Sequence, residues 1–332
     1  MKAVVVSDTH LGLNRASDLY HDITLTLFKS IVDTCLRNNI RNIIHLGDWF
    51  HNRIHINIKT LDASMKIADM LTDFNVYIIA GNHDTFYKDR INPTSLDIYE
   101  EYNNIQIIKE PTVLDDITLL PWSTKYTQDT FDNIDTDYLF GHLEVNNFMM
   151  NSYYKFSGGI PISMFKKFKQ VKLGHFHVPS TIDNIQYIGS PFHMNFGDHG
   201  ARGYYIFDDG KFDFIEFTLA PKYIKIMSED IIDERVIRGN IIRVMFTKDY
   251  GKTDNKKILD AIEECGPLQI SSDFSGVTDD IDDIKNNITV EKPKEYIELM
   301  IDYVDKIPFD AITHIKKDTL KKIILSMSKE LI

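Results

Sequence analysis

Five short apolar runs each end in residues that can bind a cation or move a proton. "AVVVSDTHLG" ends in Asp8 and His10, "NIIHLGDWFH" in Asp48 and His51, "VYIIAGNHDTF" in Asn82, His83 and Asp84, "YLFGHLE" in His142, and "QVKLGHFH" in His175 and His177. Singly each is a weak signal, because Asp-x-His and Gly-Asp recur by chance. Together Asp8, His10, Asp48, Asn82, His142, His175 and His177 offer seven oxygen and nitrogen donors, enough for two divalent ions that share a carboxylate. Neighbouring cations repel, so an anion with two oxygens is needed between them, and Asp48 is the best candidate. The spacing of Asp8 with His10 and of His175 with His177 turns alternate side chains of an extended segment the same way. Gly47, Gly81, Gly141 and Gly174 each precede such a residue and allow sharp exits from the core. The turn at Gly81 lets Asn82 ligate while His83 faces a substrate.

Something must carry these five exits to one place, and the carboxyl ends of parallel strands do so, because their loops converge on one crevice. Strands are expected at 2–7, 42–46, 76–80, 105–108, 117–120, 137–140, 170–173, 185–188, 204–208 and 212–217. Two helical patterns separate the first three: Leu25, Phe28, Ile31, Val32 and Cys35 form one apolar stripe, and Ile58, Leu61, Met65, Ala68 and Leu71 a second. These read as βαβ crossovers. Asp-Asn in "TIDNIQYIG" and Asp-Gly in "YYIFDDGKFDFIEF" favour hairpins, so a mostly parallel half is expected to give way to a mostly antiparallel one. The fold class is α/β, with two mixed sheets packed face to face and flanked by helices. Residues 219–290, with strand "NIIRVMF", helix "NKKILDAIEEC" and strand "LQI", read as a small α/β capping domain. Residues 291–332 read as terminal helices, with Leu320, Ile323, Ile324, Met327 and Leu331 on one stripe among lysines.

Composition sets the outer limits. A chain of 332 residues exceeds the usual single-domain size. No apolar run approaches the roughly 20 residues of a membrane span, and "AVVVS" is too short for a signal peptide, so a cytoplasmic protein is expected. Cys35 and Cys265 are far apart and lack a CxxC partner, which leaves oxygen and imidazole as the metal donors. A net charge of −12 disfavours broad coating of nucleic acid by this chain alone. It says little about a cleft in which divalent cations supply the positive charge.

With "DTH", "GDWFH", "GNHD", "GHLE" and "GHFH" in this order, the chain resembles the calcineurin-like metallophosphoesterase superfamily. Phosphatases of that superfamily carry Gly-Asp-x-x-Asp-Arg and Gly-Asn-His-Glu; here the second motif ends in His51-Asn52 and the third in Asp84. Those departures, with "GHFHVP" and "YIGSPFHMNFGD", resemble the SbcD-type nuclease subunits of DNA double-strand-break processing complexes and their counterparts among phage recombination nucleases. The resemblance implies a four-layer sandwich over 1–218, a cap over 219–290, and a segment, 291–332, that grips a coiled-coil ABC-type ATPase. It implies one ion on Asp8, His10, Asp48 and His177 and a second on Asp48, Asn82, His142 and His175, with manganese the family's usual choice. A metal-activated hydroxide would attack the phosphodiester, in exonuclease and single-strand endonuclease reactions. His83 and His51 are the implied catalytic residues. His83 would stabilise developing charge or protonate the leaving oxygen, and His51 would handle the DNA backbone. Since His51 replaces the aspartate that orients the equivalent of His83 in phosphatases, His83 needs another orienting group. A homodimer through residues 57–102, and host cytoplasm if the chain is phage-encoded, are also implied.

The remaining histidines and aromatics receive plainer readings. His45, inside a strand, is expected to be buried and hydrogen-bonded rather than a ligand. His55, His193 and His199 are expected on the surface, and Phe192, Phe196, Tyr153 and Tyr154 in packing rather than base stacking. Two rivals stay open: a phosphatase or small-molecule phosphodiesterase, and an inert scaffold with the same fold.

Overall fold

The computed structural model describes residues 1–276 apart from 88, 150–154 and 232. The terminal helices expected over 291–332, with Tyr153 and Tyr154, lie outside the described residues. The strands are β1 (Lys2–Val6), β2 (Asn42–His45), β3 (Asn75–Ile79), β4 (Ile105–Ile108), β5 (Thr112–Leu114), β6 (Ile117–Leu120), β7 (Tyr138–His142), β8 (Gln170–Gly174), β9 (Ser180–Ile182), β10 (Ile185–Tyr187), β11 (Gly203–Asp208), β12 (Lys211–Glu216), β13 (Tyr223–Met227), β14 (Ile241–Met245) and β15 (Gln269–Asp273). They form two six-stranded sheets, β12-β11-β1-β2-β3-β4 and β5-β6-β7-β8-β10-β9, and a small third sheet, β13-β14-β15.

Period-two alternation builds the layers. In β1, Ala3 and Val5 face the second sheet and pack with Phe140, Tyr138 and Phe207. Val4 and Val6 face the other way, onto Leu27, Phe28 and Ile31 of the helix Asp18–Arg37. On the second sheet Leu139, Val171 and Leu173 turn outward against Phe131, Phe165 and Phe168. Helices, sheet, sheet and short helices thus give four layers. Each fully buried Val, Leu, Ile or Phe contributes roughly 1.5–3 kcal/mol. The helix Asp18–Arg37 stops where Asn39 takes a left-handed conformation (φ 52°) and the Ile40 N–H bonds back to the Cys35 carbonyl at 2.9 Å.

The structure corrects three expectations. First, the two expected hairpins, β9–β10 and β11–β12, do form, but the later strands are not mostly antiparallel throughout: in the second sheet β6, β7, β8 and β10 run parallel, with β5–β6 and β9–β10 antiparallel at its edges. Turn residues advertise hairpins, whereas the buried parallel strands carry no alternation to mark their direction. Second, the helix Ile58–Met70 buries Thr60, Ala63, Ser64, Ile67 and Ala68. Of the expected stripe Ala68 and Leu71 are buried, but Ile58, Leu61 and Met65 face out, 82%, 38% and 38% exposed. Small residues line the inner face, where Thr60 meets Gly12 and bonds His21 Nε2 at 3.0 Å. Third, His193 is buried, between the Gly200 carbonyl at 3.0 Å and the Tyr223 N–H at 3.4 Å, while His55 and His199 are exposed as expected.

The third sheet is all parallel and packs Ile242, Val244 and Phe246 against Ile262 of the helix Lys252–Glu264. The strand β13 was not anticipated. A Tyr20–Tyr223 hydroxyl contact and an Arg243 guanidinium over the Phe196 ring at 4.1 Å tie this sheet to the main body.

Candidate metal centre

Loops at the carboxyl ends of β1, β2, β3, β7 and β8 bring all seven expected donors together. The ligating atoms of Asp8, His10 and His177 lie within 4.8 Å of one another, as do those of Asp48, His142 and His175. Asn82 belongs to the second group, its Oδ1 lying 2.9 Å from His142 Nε2 and 2.9 Å from His175 Nδ1. Asp48 faces both groups: Oδ2 is 3.6 Å from His10 Nε2 and Oδ1 3.4 Å from His142 Nε2. A cavity of about 270 Å³, lined by Asp48, His83, His175 and His177 among others, opens over the cluster.

The sequence reaches this geometry at a local cost. Asp8 (φ 51°), His10 (φ 44°), Asp48 (φ 54°) and His175 (φ 103°) all take positive φ, a region uncommon for residues with a side chain. Hydrogen bonds hold them there. Asp8 N–H donates to the Gly47 carbonyl and His10 N–H to the Asp48 carbonyl, both at 3.0 Å. Ser7 Oγ donates to Asp8 Oδ2 at 2.5 Å, His175 N–H to Asp8 Oδ1 at 3.1 Å, and His83 N–H to Asp48 Oδ1 at 2.8 Å. Gly81 and Gly174 are required by proximity, since a Cβ on Gly81 would sit 2.3 Å from the Asp48 backbone nitrogen and one on Gly174 2.1 Å from Ser7 Oγ.

The donor set fits divalent cations. His10 Nε2 and His177 Nε2 approach to 2.9 Å. Two imidazole nitrogens that close need a proton or a metal between them, and the two buried carboxylates beside them favour metal. Burial opposes charge on Asp48, yet the adjacent His142 outweighs it and holds the carboxyl well below its usual range. Burial also opposes a charged His142, and Asp48 overrides it, drawing the imidazole up to about 9. Burial and then His177 lower His10, keeping a lone pair free for ligation.

His83 and His51 flank the cluster, with rings stacked at 5.7 Å and 20°. The orienting group that His83 needs is the His51 backbone carbonyl, which accepts from His83 Nδ1 at 2.7 Å. The His51 side chain reaches His10 instead, Nδ1 to Nδ1 at 3.4 Å. His45 is buried as expected: its Nδ1 accepts from Gly47 N–H at 3.3 Å, so Nε2 carries the proton toward Thr9 Oγ1 at 3.0 Å. Phe192 is in the core, and Phe196 packs edge-on against Tyr223 at 4.8 Å.

Two supporting groups escaped the sequence reading. Asp84 is fully buried and accepts from Trp49 N–H at 3.3 Å, Phe50 N–H at 2.9 Å and Gly81 N–H at 3.0 Å, locking the loop after β2 to the loop after β3. Burial and then Asp48 push its carboxyl up to about 7. Arg202 pairs in the interior with Asp198 at 3.0 Å and donates to the His177 carbonyl, backing the segment that carries this donor. Asp84 stood in plain view beside His83, whereas nothing near Arg202 in the sequence marks it.

Residues 1–181, more than half of the chain, match the family described as calcineurin-like phosphoesterase. The chain belongs to that family. It is 28% identical to exonuclease subunit 1 of Enterobacteria phage T4 over 321 residues, 92% of this chain and 94% of the phage protein. It is 32% identical over 119 residues to the DNA double-strand break repair protein Mre11 of Sulfolobus acidocaldarius, covering 33% of this chain and 29% of that protein. Among solved structures, the nuclease MPE of Pseudomonas putida aligns with a TM-score of 0.33 at 18% identity, over 64% of this chain and 87% of that one.

Proposed function

We propose that this chain is a dimetal DNA nuclease, acting as exonuclease and single-strand endonuclease, and the catalytic subunit of an SbcCD-like complex in DNA recombination, repair and replication. The observation that carries the reading is Asp48, whose two oxygens face the two donor groups from between them. The phage exonuclease subunit, similar across nearly the whole chain, supports a nuclease with a partner subunit.

In this reading Asp8, His10, Asp48 and His177 hold one cation and Asp48, Asn82, His142 and His175 the other. A mixed carboxylate, amide and imidazole set is suited to Mn2+. Two bound divalent ions neutralise phosphate charge and lower the pKa of water, supplying the nucleophile. His83, anchored by donating from Nδ1 to the His51 carbonyl, points Nε2 at the substrate, and in its imidazolium form the second proton, on Nε2, is donated to the phosphoryl group or the departing ribose oxygen. The His51 side chain, stacked beside His83, contacts the DNA backbone. Residues 1–218 form the nuclease domain, 219–290 a cap over the substrate, and 291–332 the grip on a coiled-coil ABC-type ATPase. Within residues 57–102 the outward Ile58, Leu61 and Met65 give a second copy an apolar face to dimerise on.

The test is incubation of the purified chain with Mn2+ and either end-labelled DNA or a phosphomonoester. Cleavage of DNA with little monoester turnover supports the proposal; rapid monoester turnover with intact DNA contradicts it.

A further inference from the structure

Glu144 has no part in the reading above, although it closes the "GHLE" segment that delivers His142. Its carboxylate Oε1 lies 3.1 Å from Nε2 of His175. That nitrogen is buried and completes no hydrogen bond, while the other ring nitrogen, Nδ1, faces Asn82 Oδ1 at 2.9 Å in the donor cluster. The Trp122 ring stacks on the His175 imidazole at 5.3 Å and 29°. The backbone of Glu144 is fixed too, its carbonyl accepting from Ile160 N–H at 2.8 Å.

An imidazole ligates through one nitrogen only if the proton sits on the other and the ring does not turn over. Stacking by Trp122 limits tilt but is blind to a half-turn, which would exchange a ring nitrogen for a carbon on the cluster side. An acceptor at Nε2 settles both questions: it keeps the proton there, leaves the Nδ1 lone pair toward Asn82 and Asp48, and makes that lone pair more basic. We infer that Glu144 is a positioning residue that orients His175 for one of the two cations, a further step that rests on the reading of His175 as a ligand. Two residues earlier His142 ligates the same cation, so the end of β7 and the turn after it supply both a ligand and the brace for another.

The test is Mn2+ titration of the full chain followed by electron paramagnetic resonance, in wild type, Glu144→Ala and Glu144→Gln, with circular dichroism to confirm folding. Wild type is expected to take up two ions. Glu144→Ala is expected to weaken one of them roughly 10- to 100-fold and leave the other unchanged. Glu144→Gln, whose amide oxygen still accepts from Nε2, is expected to regain most of that loss. The inference is overturned if Glu144→Ala binds both ions as wild type does, if it weakens both equally, or if glutamine is no better than alanine. Failure of wild type to bind any Mn2+ would instead overturn the metal reading on which it rests.

Discussion

The two large sheets make unequal contributions to the centre. Loops of the first sheet supply both carboxylates, Asp8 and Asp48, with His10, Asn82, His51 and His83; loops of the second supply the imidazoles of His142, His175 and His177. Both carboxylates come from one side, and the other side gives imidazoles alone. Contacts across the seam join them: His142 Nδ1 donates to the Leu46 carbonyl at 2.8 Å, and His175 N–H donates to Asp8. Glycines make the approach possible, because a Cβ on Gly47 would meet His142 Nδ1 at 2.4 Å and one on Gly174 would meet the Leu46 carbonyl at 2.6 Å. The centre therefore exists only where the sheets close, and substitutions on the two sides differ in kind.

The largest effect belongs to the first sheet. Asp48→Ala removes the group facing both clusters, and we expect isothermal titration to show loss of both Mn2+ ions with cleavage down by roughly 10³-fold or more. Next comes a contrast within the same sheet. His83→Ala is expected to lower cleavage about 10²- to 10⁴-fold while both ions stay bound. His51→Ala retains the carbonyl that holds His83, so its loss should be on the order of tenfold, the size of one hydrogen bond. Equal losses in single-turnover assays of the two variants would remove the carbonyl tether from the account. At the seam itself, Gly174→Ala forces Ser7 and Leu46 apart, and urea unfolding should report a destabilisation of about 1–3 kcal/mol.

The uneven legibility of the molecule follows from the same physics. The first sheet could be read because β1, β2 and β3 are linked by long amphipathic helices, and the donors follow their strands at once. The second could not be read as fully, since β6, β7 and β8 are joined by irregular segments and the short edge strands β5 and β9 carry only three residues each. In the helix Ile58–Met70 size misled: packing there favours Ala63 and Ser64, and leaves Ile58 and Met65 outside. The seven metal-donor candidates were picked out by their glycines and spacing, and the structure brings them together. Asp84, Arg202 and the His51 carbonyl were not, because each acts through a hydrogen bond with a backbone group at one end, which no side-chain pattern reveals.

The smallest predicted effect concerns His45, which links the strand β2 to Thr9. Burial lowers its pKa from 6.5 to about 3. Above pH 6.5 the ring is neutral whether the chain is folded or not, and its contribution is fully present. As pH falls, the unfolded chain takes up a proton that the folded one refuses, so stability drops by about 1.4 kcal/mol per pH unit toward pH 3. His45→Gln should flatten that slope in urea midpoints measured between pH 7 and 5; an unchanged slope would mean that His45 protonates in the folded protein.

The most direct test of a two-cation centre spanning both sheets is an anomalous difference map from crystals soaked in Mn2+. The account predicts two peaks flanking the Asp48 carboxylate, one beside Asp8 and His177 and the other beside Asn82 and His142. No peak, or peaks confined to groups on a single sheet, would contradict it.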